Sequence, residues 1–265
     1  VDDLRDEMLR AYDRDLRGDA EVVGAVKVTP LGPVVLAEFD DGGGGFVSYR
    51  SLGDLDGEAL DELVAEVVAF FRDRTAMERF EWKTRGHDLP ADLVDHLVAA
   101  GLEAEEEETV MIGEAASLVV DLDLPDGVVV RRLEAGASDV EIELAALLEM
   151  QAGVFGESWG SVRSGLEGMA RGDEYWVVEH EGRIVSGGRL VGVEGTEFAG
   201  VWGGSTVPEW RGRGLYRALV SARARSALGR GFRYIQSDCT PMSRPILERS
   251  GLLAVTTTTP YIWTR

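Results

Sequence analysis

The chain has 265 residues, 45% of them hydrophobic, enough for one large domain or two of ordinary size around a real core. With 27 Lys and Arg against 48 Asp and Glu its formal charge is −21, which excludes a general binder of nucleic acid or anionic membrane, because both would be repelled at long range. One cysteine, Cys239, excludes a disulfide framework and a Cys-rich zinc site, and the three histidines His87, His96 and His180 are too few for a metal cluster, so no metal is expected.

In chain order, strands are expected over Val22–Val28 and Val34–Phe39 around a Pro30–Pro33 turn, then over Phe46–Tyr49 after a glycine run. Leu60, Leu63, Val64, Val67, Val68 and Phe71 fall at helical spacing. A short strand at Phe80–Lys83, a helix over Pro90–Ala100 stopped at Gly101, and a strand over Thr109–Ile112 complete the first half. Asp121–Gly127 reads as a polar linker, which divides the chain into expected domains 1–124 and 125–265. The second half opens with a strand at Val128–Leu133 and a helix from Asp139 to Gln151. A hairpin follows over Tyr175–Glu179 and Ile184–Val193, and a third strand over Phe198–Val207. A helix from Gly212, a strand over Tyr234–Asp238, a helix over Ser243–Ser250 and a last strand over Val255–Trp263 end the chain. This is an α/β order with a mixed sheet, and the first half repeats it roughly, as a divergent duplication would. No stretch approaches the roughly 18 apolar residues of a membrane span, and the acidic start is no signal peptide. A cytoplasmic location is expected.

The charge is uneven. Residues 1–125 carry −20 and residues 126–265 carry −1, while 202–265 hold 10 arginines against three acids. In that basic stretch lies Val207-Pro208-Glu209-Trp210-Arg211-Gly212-Arg213-Gly214-Leu215-Tyr216, between a strand and a helix. Glycines at a helix entrance admit an anion to the unpaired first-turn amides, and the dipole adds positive potential. Arg211 and Arg213 add guanidinium hydrogen bonds. A P-loop is excluded, because no lysine follows Lys83. A dinucleotide fingerprint fails as well: Arg217 stands where its third glycine is needed.

Arg211-x-x-Gly214-x-Tyr216 resembles the [QR]-x-x-G-x-[GA] acyl-CoA loop of the GNAT N-acetyltransferase superfamily, with Tyr216 in place of the usual Gly or Ala. Element order extends the resemblance over 128–265, and "S-R-P-I-L-E-R-S-G-L" is similar to the superfamily's adenylate-side helix. "E-W-K-T-R-G-H-D-L-P-A-D-L-V-D-H-L-V-A-A-G-L", followed by an acidic turn and "T-V-M-I", resembles the N-terminal half of actinobacterial tandem GNAT proteins. There Asp54, Asp56 and Glu58 crowd the entrance of the long helix, suit its dipole, and would repel a pyrophosphate. The resemblance therefore implies two tandem GNAT domains, the first degenerate and without a CoA loop.

It further implies transfer of an acetyl group from acetyl-CoA to a primary amine by direct attack on the thioester. Ser205, Thr206 and Val207 would run along the pantetheine, and Arg211, Gly212, Arg213, Gly214, Leu215 and Tyr216 would hold the pyrophosphate. Ser243 would sit on the adenylate side. Glu197 and Asp238 are the candidate bases, and Phe155, Trp159 and Trp202 the candidate walls of the acceptor pocket. The acid Tyr that many members carry four residues before the Gly of a "G-F" pair is Leu247 here; Tyr261 or solvent would substitute, or no acid is needed because a CoA thiolate is a fair leaving group. A non-catalytic acyl-CoA sensor is the alternative. The acceptor, a small amine or a peptide amine, is not readable, and a homodimer is left open.

Gly156-Glu157-Ser158-Trp159-Gly160 matches G-x-S-x-G. A nucleophile elbow needs a strand before it, however, and the preceding residues have a helical pattern.

Overall fold

A computed structural model describes residues 2–39, 44–156 and 160–265. The elements of the first part are α1 (Asp2–Asp15), β1 (Lys27–Leu31), β2 (Val34–Phe39), β3 (Gly44–Ser48), α2 (Gly57–Arg74), β4 (Arg79–Arg85), α3 (Leu93–Ala99), β5 (Glu103–Ala104), β6 (Glu108–Glu114) and α4 (Ala115–Leu118). Then follow β7 (Val128–Arg132), α5 (Val140–Phe155), α6 (Val162–Ala170), β8 (Glu174–His180), β9 (Arg183–Gly192) and β10 (Phe198–Thr206). The chain ends with α7 (Leu215–Gly229), β11 (Tyr234–Cys239), α8 (Arg244–Ser250) and β12 (Leu253–Thr264). Two compact units result. The first holds residues up to Met111 with Asp238–Pro245 and Ala254–Arg265; the second holds Ile112–Ser237 and Ile246–Leu253. This differs from a single cut near Pro125: the last strand joins the first unit, antiparallel to β4 with Tyr261 opposite Trp82.

In the first unit the strands lie in the order β1-β2-β3-β4-β12, all neighbours antiparallel except β3 and β4. Residues Leu60, Val64, Val67 and Phe71 on one face of α2 are buried in a core with Leu36, Val47, Phe80 and Trp82. Phe71 stacks on Phe80 at 4.5 Å between ring centroids. The strand expected at Val22–Val28 is displaced. Gly18–Val22 is a turn of 3-10 helix and pairing starts at Lys27, because Val23 and Val26 are apolar but 76% and 57% exposed.

A charged network lies buried beside this core. Arg17 pairs with Asp88 at 2.8 Å, and Arg85 pairs with Glu21 and is hydrogen-bonded to the Tyr12 hydroxyl. His87 Nε2 lies 3.0 Å from Asp13. Burial pushes the Asp13 carboxyl up, but the His87 hydrogen bond and the charges of His87 and Arg17 outweigh it, and its pKa is lowered. A carboxyl lowered in the folded state adds stability above its unfolded pKa of about 3.9, and that share is lost as pH falls through the folded value. Denaturant melts between pH 5 and pH 2 should therefore show a loss of stability that is smaller in Asp13→Asn. Equal slopes in the two proteins would sink this assignment.

The second unit orders its strands β7-β8-β9-β10-β11, antiparallel except for β10 and β11. Successive residues of β9 show what covers each face: a methyl on Gly187 would collide with Leu147 of α5, and one on Gly188 with Arg223 of α7. Each unit thus runs an antiparallel meander into a helix that crosses over to a parallel strand, β3-α2-β4 in one and β10-α7-β11 in the other. That common topology fits a duplication whose sequence motifs have diverged.

Candidate active site

The site is built where β10 outruns its neighbour. The parallel ladder covers only Phe198–Gly200 against Tyr234–Gln236, so β10 continues for six residues with that edge unpaired by β11. On the other edge the register to β9 jumps from Trp202↔Arg189 to Ser205↔Gly187, a bulge with one extra residue at Gly203-Gly204. Val207 donates its N–H to the Val185 carbonyl at 3.0 Å. By strand alternation, Gly204 and Thr206 turn their amides to the open edge. Ser205 and Val207, expected beside the pantetheine, thus bond toward β9, and the Ser205 carbonyl accepts from the Ser186 hydroxyl at 2.6 Å.

Past β10 the chain makes one 3-10 turn, Pro208–Trp210, and α7 then begins at Leu215 behind an N-cap glycine. Gly214 has φ +81°, a left-handed conformation that glycine adopts without strain, and a Cβ there would project into open space at the helix entrance. The first turn of α7 holds no acid. Arg211 is fixed by donating Nε–H to the Thr206 carbonyl at 3.1 Å, and Arg213 lies over the Trp210 ring at 4.6 Å. Two exposed arginines thus lie in the loop that leads into a helix N-terminus, groups whose chemistry suits an anion.

Tyr216 does not narrow this cradle from outside. Its ring is turned inward onto β10, where a Cβ on Gly204 would come within 2.7 Å of it, and its hydroxyl is hydrogen-bonded to Arg223. Arg223 is fully buried, its pKa lowered by burial, with Nη1 on the Arg189 carbonyl at 3.2 Å and Nη2 without a hydrogen-bond partner among the described residues.

The equivalent place in the first unit is sealed. There β3 ends at Ser48, one residue beyond its last parallel pair, Val47↔Trp82. Ser48 donates to Glu21 at 2.7 Å, Tyr49 to Asp88 at 2.5 Å, and the Arg17 guanidinium lies 4.9 Å over the Tyr49 ring. The entrance of α2 exposes Asp54, Asp56 and Glu58, and Asp56, the N-cap, makes no side-chain capping bond. Neither an open strand edge nor an anion-friendly helix end remains.

The other sequence candidates are scattered. Glu197 precedes β10, exposed, ten residues from Val207; at about 3.3 Å per residue that is the far end of the strand. Asp238 is bound to Lys83 Nζ at 2.7 Å inside the first unit, and its charge holds the lysine pKa up against burial. Ser243 falls in that unit too, bonded through its N–H to the Thr240 carbonyl. Leu247 is 1% exposed, and Tyr261 lies on β12 of the first unit. Phe155 ends α5, half exposed, and Gly156 with φ +82° caps that helix, so a helix and not a strand leads into the G-x-S-x-G pentapeptide. Trp159 lies outside the described residues.

Trp202 does wall a cavity, of about 50 Å³, together with Gln151, Ser161, Ser164, Tyr175, Arg189 and Gly203. Sequence reasoning missed most of these because α6, which supplies the serines, lies beyond the apolar pattern of α5. A larger cavity of about 710 Å³ opens beside Val207–Glu209. Its lining includes Glu143, Glu149, Glu179 and Glu209 together with Arg183, which pairs with Glu209 at 3.0 Å. No group of His, Cys, Asp and Glu suited to a metal ion occurs among the described residues, and no helix among them is long and apolar enough to cross a membrane.

Residues 144–246 match the family model described as Acetyltransferase (GNAT) family. A search of curated proteins finds no match. Solved structures do share the fold. A GCN5-related N-acetyltransferase from Kribbella flavida aligns at TM-score 0.68 and 14% identity over 97% of this chain and 93% of its own. One from Sphaerobacter thermophilus gives 0.65 and 16% over 88% and 76%. A tandem GNAT protein from the clavulanic acid biosynthesis pathway gives 0.61 and 13% over 87% and 78%.

Proposed function

We propose that the second unit, in which residues 144–246 match the GNAT acetyltransferase family model, transfers the acetyl group of acetyl-CoA to a primary amine. The observation that carries this reading is the open edge of β10 running directly into the acid-free entrance of α7. Arg211, Arg213 and the amides of Gly214, Leu215 and Tyr216 would hold the pyrophosphate, and Gly204 and Thr206 would face the pantetheine. The first unit would be a GNAT-like domain that has lost its cofactor site. A cytoplasmic location is proposed from the single buried cysteine.

In the reaction the amine nitrogen attacks the thioester carbonyl, the C–N bond forms, the C–S bond breaks, and CoA leaves as a thiolate that is protonated to the thiol. A backbone N–H at the Gly203-Gly204 bulge would stabilise the oxyanion. An ammonium with pKa near 10 must first lose its proton. No carboxylate occurs on β10, Glu197 lies at its far end, and Asp238 is ion-paired, so the reading assigns the proton to an ordered water and to neither of these two acids.

Thiol release against a panel of amines tests this directly. Turnover with at least one amine, reduced at least about 100-fold in kcat/KM by Arg211→Glu, is the expected result. Acetyl-CoA binding with no amine above background would favour the non-catalytic sensor.

A further inference from the structure

Resting on the acetyltransferase reading, we propose that the acceptor is an amine that also carries a carboxylate, a compound of the amino-acid class, and that Arg189 holds that carboxylate. Tyr175, Arg189 and Trp202 stand directly opposite one another on β8, β9 and β10, so the three side chains share one face of the sheet. This row floors the small cavity roofed by Leu148 and Gln151 of α5 and by Ser161 and Ser164 at the start of α6.

The chemistry of the walls is one-sided. No Asp or Glu among the described residues lines the cavity. Arg189 is half-buried, and no described residue makes a hydrogen bond or an ion pair with its guanidinium. The acid that feels its charge, Asp173, is not within ion-pair distance, and burial pushes that carboxyl up. Helix α6 starts at the same cavity, closed by a reciprocal Ser161/Ser164 capping box, so its positive dipole end adds to Arg189. Gln151 is already spoken for: its amide donates to the Gly203 carbonyl at 2.6 Å. What remains is a guanidinium without a hydrogen bond or ion pair among the described residues, facing a space of about 50 Å³. A space of this size has room for a small polar group such as a carboxylate. Arginine meets such a group with two parallel hydrogen bonds.

The position suits the reaction as well. Gly203 is both a wall of the cavity and part of the bulge. A carboxylate seated on Arg189 keeps an amine a few bonds away beside the open edge where the thioester would lie. The rest of the acceptor stays outside this subsite.

The test compares the twenty proteinogenic L-amino acids with their carboxamides in thiol release at saturating acetyl-CoA. The proposal expects at least one acid to exceed its amide by about 30-fold or more in kcat/KM. Arg189→Met should raise the KM for that acid by about 10- to 100-fold with kcat within about twofold, Arg189→Lys should restore part of it, and both should keep the rise in melting temperature that acetyl-CoA gives. Acids and amides used equally, no acid used at all, or an Arg189→Met enzyme with unchanged KM would each overturn it. If acetyl-CoA gives no melting shift in the wild-type protein, the underlying acetyltransferase reading fails instead.

Discussion

Replacing Gly214 by Val should abolish acetyl-CoA binding, raising Kd by at least about 100-fold, while the protein still folds. Two effects add. Gly214 sits at φ +81°, where a side chain costs roughly 1–2 kcal/mol, and valine, branched at Cβ, tolerates that region poorly. The new side chain would also project into the space before the first amides of α7, where nothing in the protein now stands. The diphosphate would lose several charge-assisted hydrogen bonds, each worth about 1.5–3 kcal/mol. Calorimetric titration reads the affinity, and far-UV circular dichroism confirms the fold. Binding within about fivefold of wild type would mean that the anion site lies elsewhere.

Asp88→Ala is expected to cost about 3–5 kcal/mol, the usual penalty for breaking a buried ion pair from one side. Asp88 is 8% exposed in its side chain and serves three donors: Arg17 at 2.8 Å, the Tyr49 hydroxyl at 2.5 Å and the Arg85 backbone N–H at 2.7 Å. Arg17 is 1% exposed and already has two nitrogens without a partner among the described residues, and losing Asp88 would leave its Nη1 only the longer pair with Asp13 at 3.3 Å. For a chain of this size the loss corresponds to a fall in melting temperature on the order of 10 °C. A fall of less than about 3 °C would show that the network is not a structural support of the first unit.

The anion loop was the most legible part of the sequence. Glycines at fixed offsets, flanking arginines and a following amphipathic helix are local features, and they fold where they are written. The contrast between the units was partly legible for the same reason: Asp54, Asp56 and Glu58 remain exposed around α2. The plug was not. It depends on Arg17 and Glu21 meeting Asp88 and Ser48 across many residues of chain, which no spacing rule reports. Helix α1 hid behind its charges, although Met8, Ala11 and Tyr12 keep a buried stripe at helical spacing.

Catalytic residues were harder still. Glu197 was attractive because it borders the right strand, but a nine-residue strand is long enough to put its two ends in different places. Asp238 stands at a strand end, and its commitment to Lys83 appears only when β4 and β11 are folded. Trp202 is a candidate wall by its place on β10, whereas no sequence spacing points to Arg189 beside it, because the relation between them is one of cross-strand register, not of sequence distance.

The central claim is that one of two topologically similar units keeps an acyl-CoA site and the other has filled it with its own side chains. Calorimetric titration of acetyl-CoA into the wild-type protein tests it most directly. The account predicts one equivalent bound per chain, with no residual binding in Arg211→Glu. Two equivalents per chain, or one that survives Arg211→Glu, would contradict it.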